Sequence, residues 1–269
     1  MSKHAIIPDL SNPPYADYVS PGQKPGLISR SFPTLGFYGR VAKIVLTAAH
    51  YAKRGRFGDA DWYGASESVR RAFEKAGARI SIRGTEHFAN LEGPCVFIGN
   101  HMSTAETFLL ASIIRPFKPV TFVVKQSLVE YPIFKHIMLS RDPIVVGRVN
   151  PREDLKAVMG GGKDRLAAGT SIIIFPQRTR TVEFEKESFN TIGVKLAKRA
   201  GVPIIPLALK TNAWANGTLL KDYGRFQPQE PVNFEFGEPI HVDGNDRSAH
   251  EAVISFIESR LIDWGVPVS

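Results

Sequence analysis

Cysteine is nearly missing: Cys95 is the one example in 269 residues, so no intramolecular disulfide can form, and a reducing, cytoplasmic setting is expected. Nor is there a run of the roughly eighteen uninterrupted apolar residues that a spanning helix needs, because Arg40, Lys43 and His50 divide the best stretch. The N-terminus lacks the charged, apolar and small-residue layout of a secretory signal. A Gly-x-Ser-x-Gly elbow is absent, which argues against a serine hydrolase, and no His/Cys cluster has ligand spacing, so no metal is expected. Acidic residues are absent between Tyr18 and Gly58, where seven basic ones stand: Lys24, Arg30, Arg40, Lys43, Lys53, Arg54 and Arg56.

Over the whole chain 34 Lys and Arg outnumber 26 Asp and Glu, a formal charge of +8 that favours an acidic partner. Nucleic acid is disfavoured, since the aromatics are not interleaved with the basic residues and no groove-reading motif appears. A phosphorylated substrate and an anionic membrane surface remain.

Residues 1–31 carry Pro8, Pro13, Pro14, Pro21 and Pro25 without an apolar period, and are expected to form an extended arm. Residues 32–78 form an amphipathic helical segment. At about 100° per residue, Phe37, Val41, Ile44, Val45, Ala48 and Ala52 fall on one side of a helix over Leu35–Arg54 and Arg40, Lys43, Thr47, His50 and Arg54 on the other. Two uses fit this pattern: the apolar stripe can enter a bilayer interface while the cations meet anionic lipid, or it can pack on the protein core. The lack of acidic neighbours favours the membrane, and a peripheral place on the cytoplasmic face is the expectation.

A helix over Ala65–Ala76 ends at Gly77, and strands and helices then alternate through 79–269. Seven short β-branched runs read as strands: 80–83, 95–99, 120–124, 144–146, 171–175, 203–209 and 232–236. Helical patterns cover 104–114, 151–168, 189–200 and 248–264; the second has Asn150 as N-cap with Pro151 at its first position. One α/β domain with a mostly parallel seven-stranded sheet follows. Gly160-Gly161-Gly162-Lys163 falls inside a helical pattern, lacks a strand before it, and is read as a helix break.

Chemistry concentrates at two places. Asn100-His101 ends an apolar strand, and Glu106 follows five positions after the histidine. Mid-helix, positions five apart lie about 140° around the axis, so His101 and Glu106 can meet only if the histidine sits on the turn before the helix, at the strand's carboxyl end. There the imidazole could take a proton while Glu106 holds its other nitrogen. Ser103 to Glu106 also match a Ser-x-x-Glu capping box, in which the glutamate merely reaches back to the N-cap amide. The second place, Phe175 to Thr181, begins where Pro176 stops a buried strand; Arg178 and Arg180 offer forked donors for phosphate, and Thr179 and Thr181 offer hydroxyls. A cysteine enzyme using Cys95 fails, because that residue lies inside an apolar strand.

These blocks, with the Val202-Pro203-Ile204-Ile205-Pro206 run, resemble the glycerolipid acyltransferase family over roughly residues 80–240. That family carries Asn-His, four residues and Asp, then Phe-Pro-Glu-Gly-Thr-Arg-Ser, then Val-Pro-Ile-Ile-Pro. Here Glu106 replaces the aspartate, and Gln177-Arg178 replace Glu-Gly. The resemblance implies transfer of a fatty acyl group from acyl-CoA or acyl-carrier protein to a lysophospholipid hydroxyl, most simply that of 1-acyl-sn-glycerol-3-phosphate, without a cofactor. His101 and Glu106 would be catalytic, and Lys125, Arg148, Gln177, Arg178, Thr179 and Arg180 would bind substrate. Transfer to another lysolipid, or an inactive lipid-binding protein on the same fold, stand as alternatives.

Overall fold

Three apolar runs without polar alternation, Val96–Gly99, Ser171–Ile174 and Ile204–Lys210, lie side by side at the centre of the sheet, where nearly every residue is buried. Such runs suit parallel strands covered on both faces. The structure is a computed structural model that describes residues 17–22, 25–218 and 220–269; residues 1–16 of the expected arm lie outside it. In chain order the elements are β1 (Tyr18–Val19), α1 (Leu27–Ser31), α2 (Pro33–Lys53), α3 (Asp59–Lys75), β2 (Ile80–Arg83), α4 (Glu86–Ala89), β3 (Val96–Gly99), α5 (Ala105–Ile114) and β4 (Val120–Lys125). There follow α6 (Gln126–Glu130), α7 (Lys135–Leu139), β5 (Ile144–Val146), α8 (Pro151–Ala167), β6 (Ser171–Ile174), α9 (Ile192–Ala200), β7 (Ile204–Lys210), β8 (Val232–Phe236) and α10 (Asp246–Asp263).

The sheet has eight strands in the order β1-β2-β8-β7-β3-β6-β4-β5. It is mixed: β1 runs antiparallel to β2 and β8 antiparallel to β7, while the other neighbours are parallel. The strand absent from the seven expected is β1, a two-residue edge pairing too short to leave a period. It belongs to the expected arm, whose described part also winds into α1. Tyr18 anchors β1 by donating to Glu74 on α3 at 2.5 Å.

Helices cover both faces. Phe122 of β4 is in register with Ile173 of β6, which pairs with Phe97 of β3, and Phe122 meets Trp62 of α3 at a ring distance of 6.2 Å. Ile98, one residue on and therefore on the opposite face, lies against Gly193 of α9. A Cβ at Gly193 would approach Ile98 to 2.7 Å, so the close contact of helix and strand needs glycine. The Gly160–Gly162 stretch is not a break: α8 is continuous, and a Cβ at Gly162 would meet Leu196 of α9 at 2.7 Å. Its role is close helix packing.

Helix α2 corrects a second expectation. Its stripe of Phe37, Val41, Val45, Ala48 and Ala52 is buried in the common core, with Phe37 stacked on Phe226 at 4.0 Å and edge-on to Phe73 and Trp214 at 4.9 Å each. Residues 32–78 thus share one core with the rest of the chain. The apolar residues left outside are Phe32, Leu35, Leu46 and Tyr51. Among the described residues no helix is long and apolar enough to cross a membrane. Phe37→Ala is expected to cost about 3–5 kcal/mol in denaturant unfolding, and Leu46→Ala less than about 0.5 kcal/mol. Equal effects would mean that α2 is not part of the core.

Candidate active site

Position 101 is placed by its neighbour. Asn100 donates from Nδ2 to the Leu209 carbonyl (2.8 Å) and accepts the Leu209 amide on Oδ1 (2.9 Å), so its side chain continues the β3–β7 ladder after the backbone has turned away. His101 therefore sits at the carboxyl end of β3, between β6 and β7. The loop after β6 closes on it: Gln177 Oε1 accepts the His101 amide at 2.6 Å, and the Thr181 amide donates to the His101 carbonyl at 3.0 Å. Phe175 stacks on the imidazole, 4.5 Å between centroids and 5° between planes.

The two meanings of Glu106 turn out to occupy different oxygens. Oε1 accepts the amides of Met102 (2.6 Å) and Ser103 (2.8 Å) and the hydroxyl of Thr211 (3.0 Å), the helix-capping role. Oε2 faces His101 Nδ1 at 3.9 Å, and among the described residues neither atom has a hydrogen-bond partner. That is longer than a hydrogen bond, but contacts of this kind tighten when substrate binds. Burial, then the positive charges of Arg180 and Arg148, hold the imidazole down to about 3, and burial pushes the Glu106 carboxyl up to about 7 against the hydrogen bonds that oppose it. At neutral pH the ring is uncharged, the form that can accept a proton, and 15% of its side chain is open to solvent.

The cations gather at the same sheet edge, at the ends of β4, β5 and β6. Lys125 ends β4 in register with Val146 and is exposed. Arg148, two residues past β5, adopts φ +58°, a left-handed conformation uncommon for arginine, and its amide donates to both Asp154 carboxylate oxygens (3.2 and 2.9 Å) at the start of α8. Its guanidinium reaches the Arg178 carbonyl, and the Arg178 side chain is exposed. Arg180 Nη1 donates to Thr104 Oγ1 and pairs with Asp222 Oδ1 at 2.7 Å, while Thr179 Oγ1 accepts Lys221 Nζ at 2.8 Å. Gln177 is buried, with Oε1 on the His101 amide and Nε2 donating to Thr181 Oγ1 (2.9 Å), so it braces the two loops. The site thus joins a buried imidazole to a loop of arginines, an arrangement chemically suited to deprotonating a hydroxyl on a phosphorylated molecule.

A family model described as Acyltransferase matches residues 79–210, which span the base, the cationic loop and β7. The chain is 33% identical over 190 residues to a 1-acyl-sn-glycerol-3-phosphate acyltransferase of Pseudomonas aeruginosa, covering 70% of this chain and 68% of that one. The chain belongs to the acyltransferase family. A 1-acyl-sn-glycerol-3-phosphate acyltransferase of Chlamydomonas reinhardtii is 30% identical over 131 residues, 49% of this chain and 38% of its own. The crystal structure of the 1-acyl-sn-glycerophosphate acyltransferase PlsC from Thermotoga maritima superposes with a TM-score of 0.66 at 18% identity, covering 90% of this chain and 98% of that one, and shares the fold.

Four residues of the acyltransferase site escape a sequence reading: Thr211, Asn216, Lys221 and Asp222. Thr211 directly follows β7 and could have been found by asking which polar groups end a central parallel strand. Asn216, whose amide donates to the Met102 carbonyl at 2.9 Å, and the Lys221-Asp222 pair lie on an aperiodic loop more than a hundred residues from His101. Glu106→Gln keeps an oxygen for the two amides but presents a donor to Nδ1, which leaves the ring proton on Nε2 and removes the base. We expect kcat to fall at least about a hundredfold with Tm nearly unchanged, and Glu106→Ala to lower Tm as well. Normal turnover with a collapsed Tm in the glutamine variant would reduce Glu106 to a cap.

Proposed function

We propose that this acyltransferase moves a fatty acyl group from a thioester, acyl-CoA or acyl-carrier protein, to the free hydroxyl of 1-acyl-sn-glycerol-3-phosphate, giving phosphatidic acid. The observation that carries the reading is the His101 imidazole at the end of β3, its Nδ1 facing Glu106 Oε2 at 3.9 Å and the arginine-bearing loop bonded to its amide. In the mechanism His101 removes the hydroxyl proton as the oxygen attacks the thioester carbon, and Glu106 stabilises the resulting imidazolium. The tetrahedral oxyanion then expels a thiolate, which needs little acid assistance because a thiol ionises near pH ~8.5, and the proton on His101 passes to that sulfur or to solvent, restoring the base. Base catalysis of this sort contributes about 10² to 10⁴ in rate. Arg180, Arg148 and Lys125 are assigned to the acceptor phosphate, and Arg178, exposed at the same edge, to its outer side. No cofactor beyond the thioester enters the scheme.

The test is a lysolipid panel incubated with purified protein and labelled thioester, resolved by mass. Wild type is expected to acylate 1-acyl-sn-glycerol-3-phosphate and His101→Ala to lose that product while still binding the lipid; an undiminished product from the alanine variant would end the catalytic assignment. Acylation of a different lysolipid alone would move the acceptor and keep the reaction class.

We further propose peripheral binding to the cytoplasmic face of the cell membrane, through the outside of α2 and not its buried stripe. Around the helix, Leu35 and Leu46 lie next to Lys43, His50 and Arg54, all exposed. Apolar side chains flanked by cations suit a headgroup layer containing anionic lipid. Binding to anionic vesicles is expected to weaken with salt and with the double change Leu35→Ser/Leu46→Ser; equal binding to neutral vesicles would refute the electrostatic part.

A further inference from the structure

We infer that Asp222 is a built-in competitor at the acceptor subsite: its carboxylate occupies the place of the acceptor's phosphate on Arg180 and must be displaced before the phosphate binds. The inference rests on the proposed function for the identity of the acceptor. Asp222 Oδ1 takes an ion pair from Arg180 at 2.7 Å and the hydroxyl of Thr104 at 3.3 Å, the donors a phosphate oxygen would take. Thr104 is the residue before α5, three positions from His101, and Arg180 is close enough to depress the His101 imidazole. In a 1-acylglycerol 3-phosphate the phosphate lies two carbons from the reacting hydroxyl. An anion held on Arg180 and Thr104 therefore brings that hydroxyl to the imidazole.

The contact is built to be exchanged. Arg180 is largely enclosed, with 15% of its side chain exposed, whereas 62% of the Asp222 side chain faces solvent. Pairs open to water on one side are weak, so a ligand with more charge and more acceptor oxygens can displace the carboxylate. The backbone of the loop need not move. Asp222 O accepts from Trp214 Nε1 at 3.2 Å, Gly224 O from Tyr38 Oη at 2.7 Å, and Asn216 Nδ2 donates to Met102 O at 2.9 Å. A Cβ at Gly224 would stand 1.8 Å from the Ala215 carbonyl, so the two sides of the loop touch. Rotation of the Asp222 side chain into water suffices, and Lys221, now on Thr179, stays beside the vacated position.

An internal carboxylate sets a threshold. Every anion that binds Arg180 must first displace Asp222, so the carboxylate weakens the apparent affinity of all such headgroups by one common factor and leaves their ranking to the rest of the subsite. Asp222→Asn keeps the shape and removes the charge. We expect KM for 1-acyl-sn-glycerol-3-phosphate to fall about fivefold while kcat stays the same. Thermal stabilisation by glycerol 3-phosphate should reach half its maximum at a correspondingly lower concentration in the variant. A KM that rises or stays the same, with an unmoved thermal titration, would overturn the inference and make Asp222 a buttress for Arg180. Should wild type acylate no phosphate monoester while the titration still shifts, the competition stands and the proposed acceptor fails.

Discussion

The site depends on a clasp between two loops that are far apart in the chain. The amide and carbonyl of His101 are both engaged by the loop that follows β6, one through Gln177 and the other through the Thr181 backbone. Because β3 and β6 are paired neighbours, the turn that carries the base and the loop that carries the arginines leave the sheet side by side, and two short hydrogen bonds lock them together. Without that lock the imidazole would have no fixed distance to Arg180, and Glu106 would cap a helix with no chemical consequence.

The electrostatics follow from the same crowding. A carboxylate with no exposed surface and a nearly enclosed imidazole are each pushed toward their uncharged forms, and the adjacent guanidinium groups push the imidazole further. Burial and the cation field both keep the imidazole uncharged, while a facing carboxylate is the group that can stabilise it once protonated. Glu106 divides its oxygens: one is bound by amides and a hydroxyl, and the other faces the ring with no hydrogen-bond partner among the described residues.

Much of the fold was legible. Seven of the eight strands and the four helical patterns between 104 and 264 appear within a few residues of their expected limits, since turns, caps and β-branched runs are local signals. Two readings failed for one reason, that each concerned a partner elsewhere in the chain. The apolar stripe of α2 has the period of an interfacial helix and of a core helix alike, and only Phe226, Phe73 and Trp214 decide between them. The glycine run reads as a breaker until Leu196 arrives against it.

By itself the amino-acid sequence determined the order of strands and helices, the placing of His101 and the arginine loop at strand ends, and the excess of positive charge, because all of these are written in neighbouring residues. Only the tertiary structure decided which oxygen of Glu106 meets the ring, which face of α2 remains outside, and that Asp222 reaches Arg180. Distances across a fold are set by packing and by hydrogen bonds between distant segments, and a period or a spacing along the chain carries no measure of them.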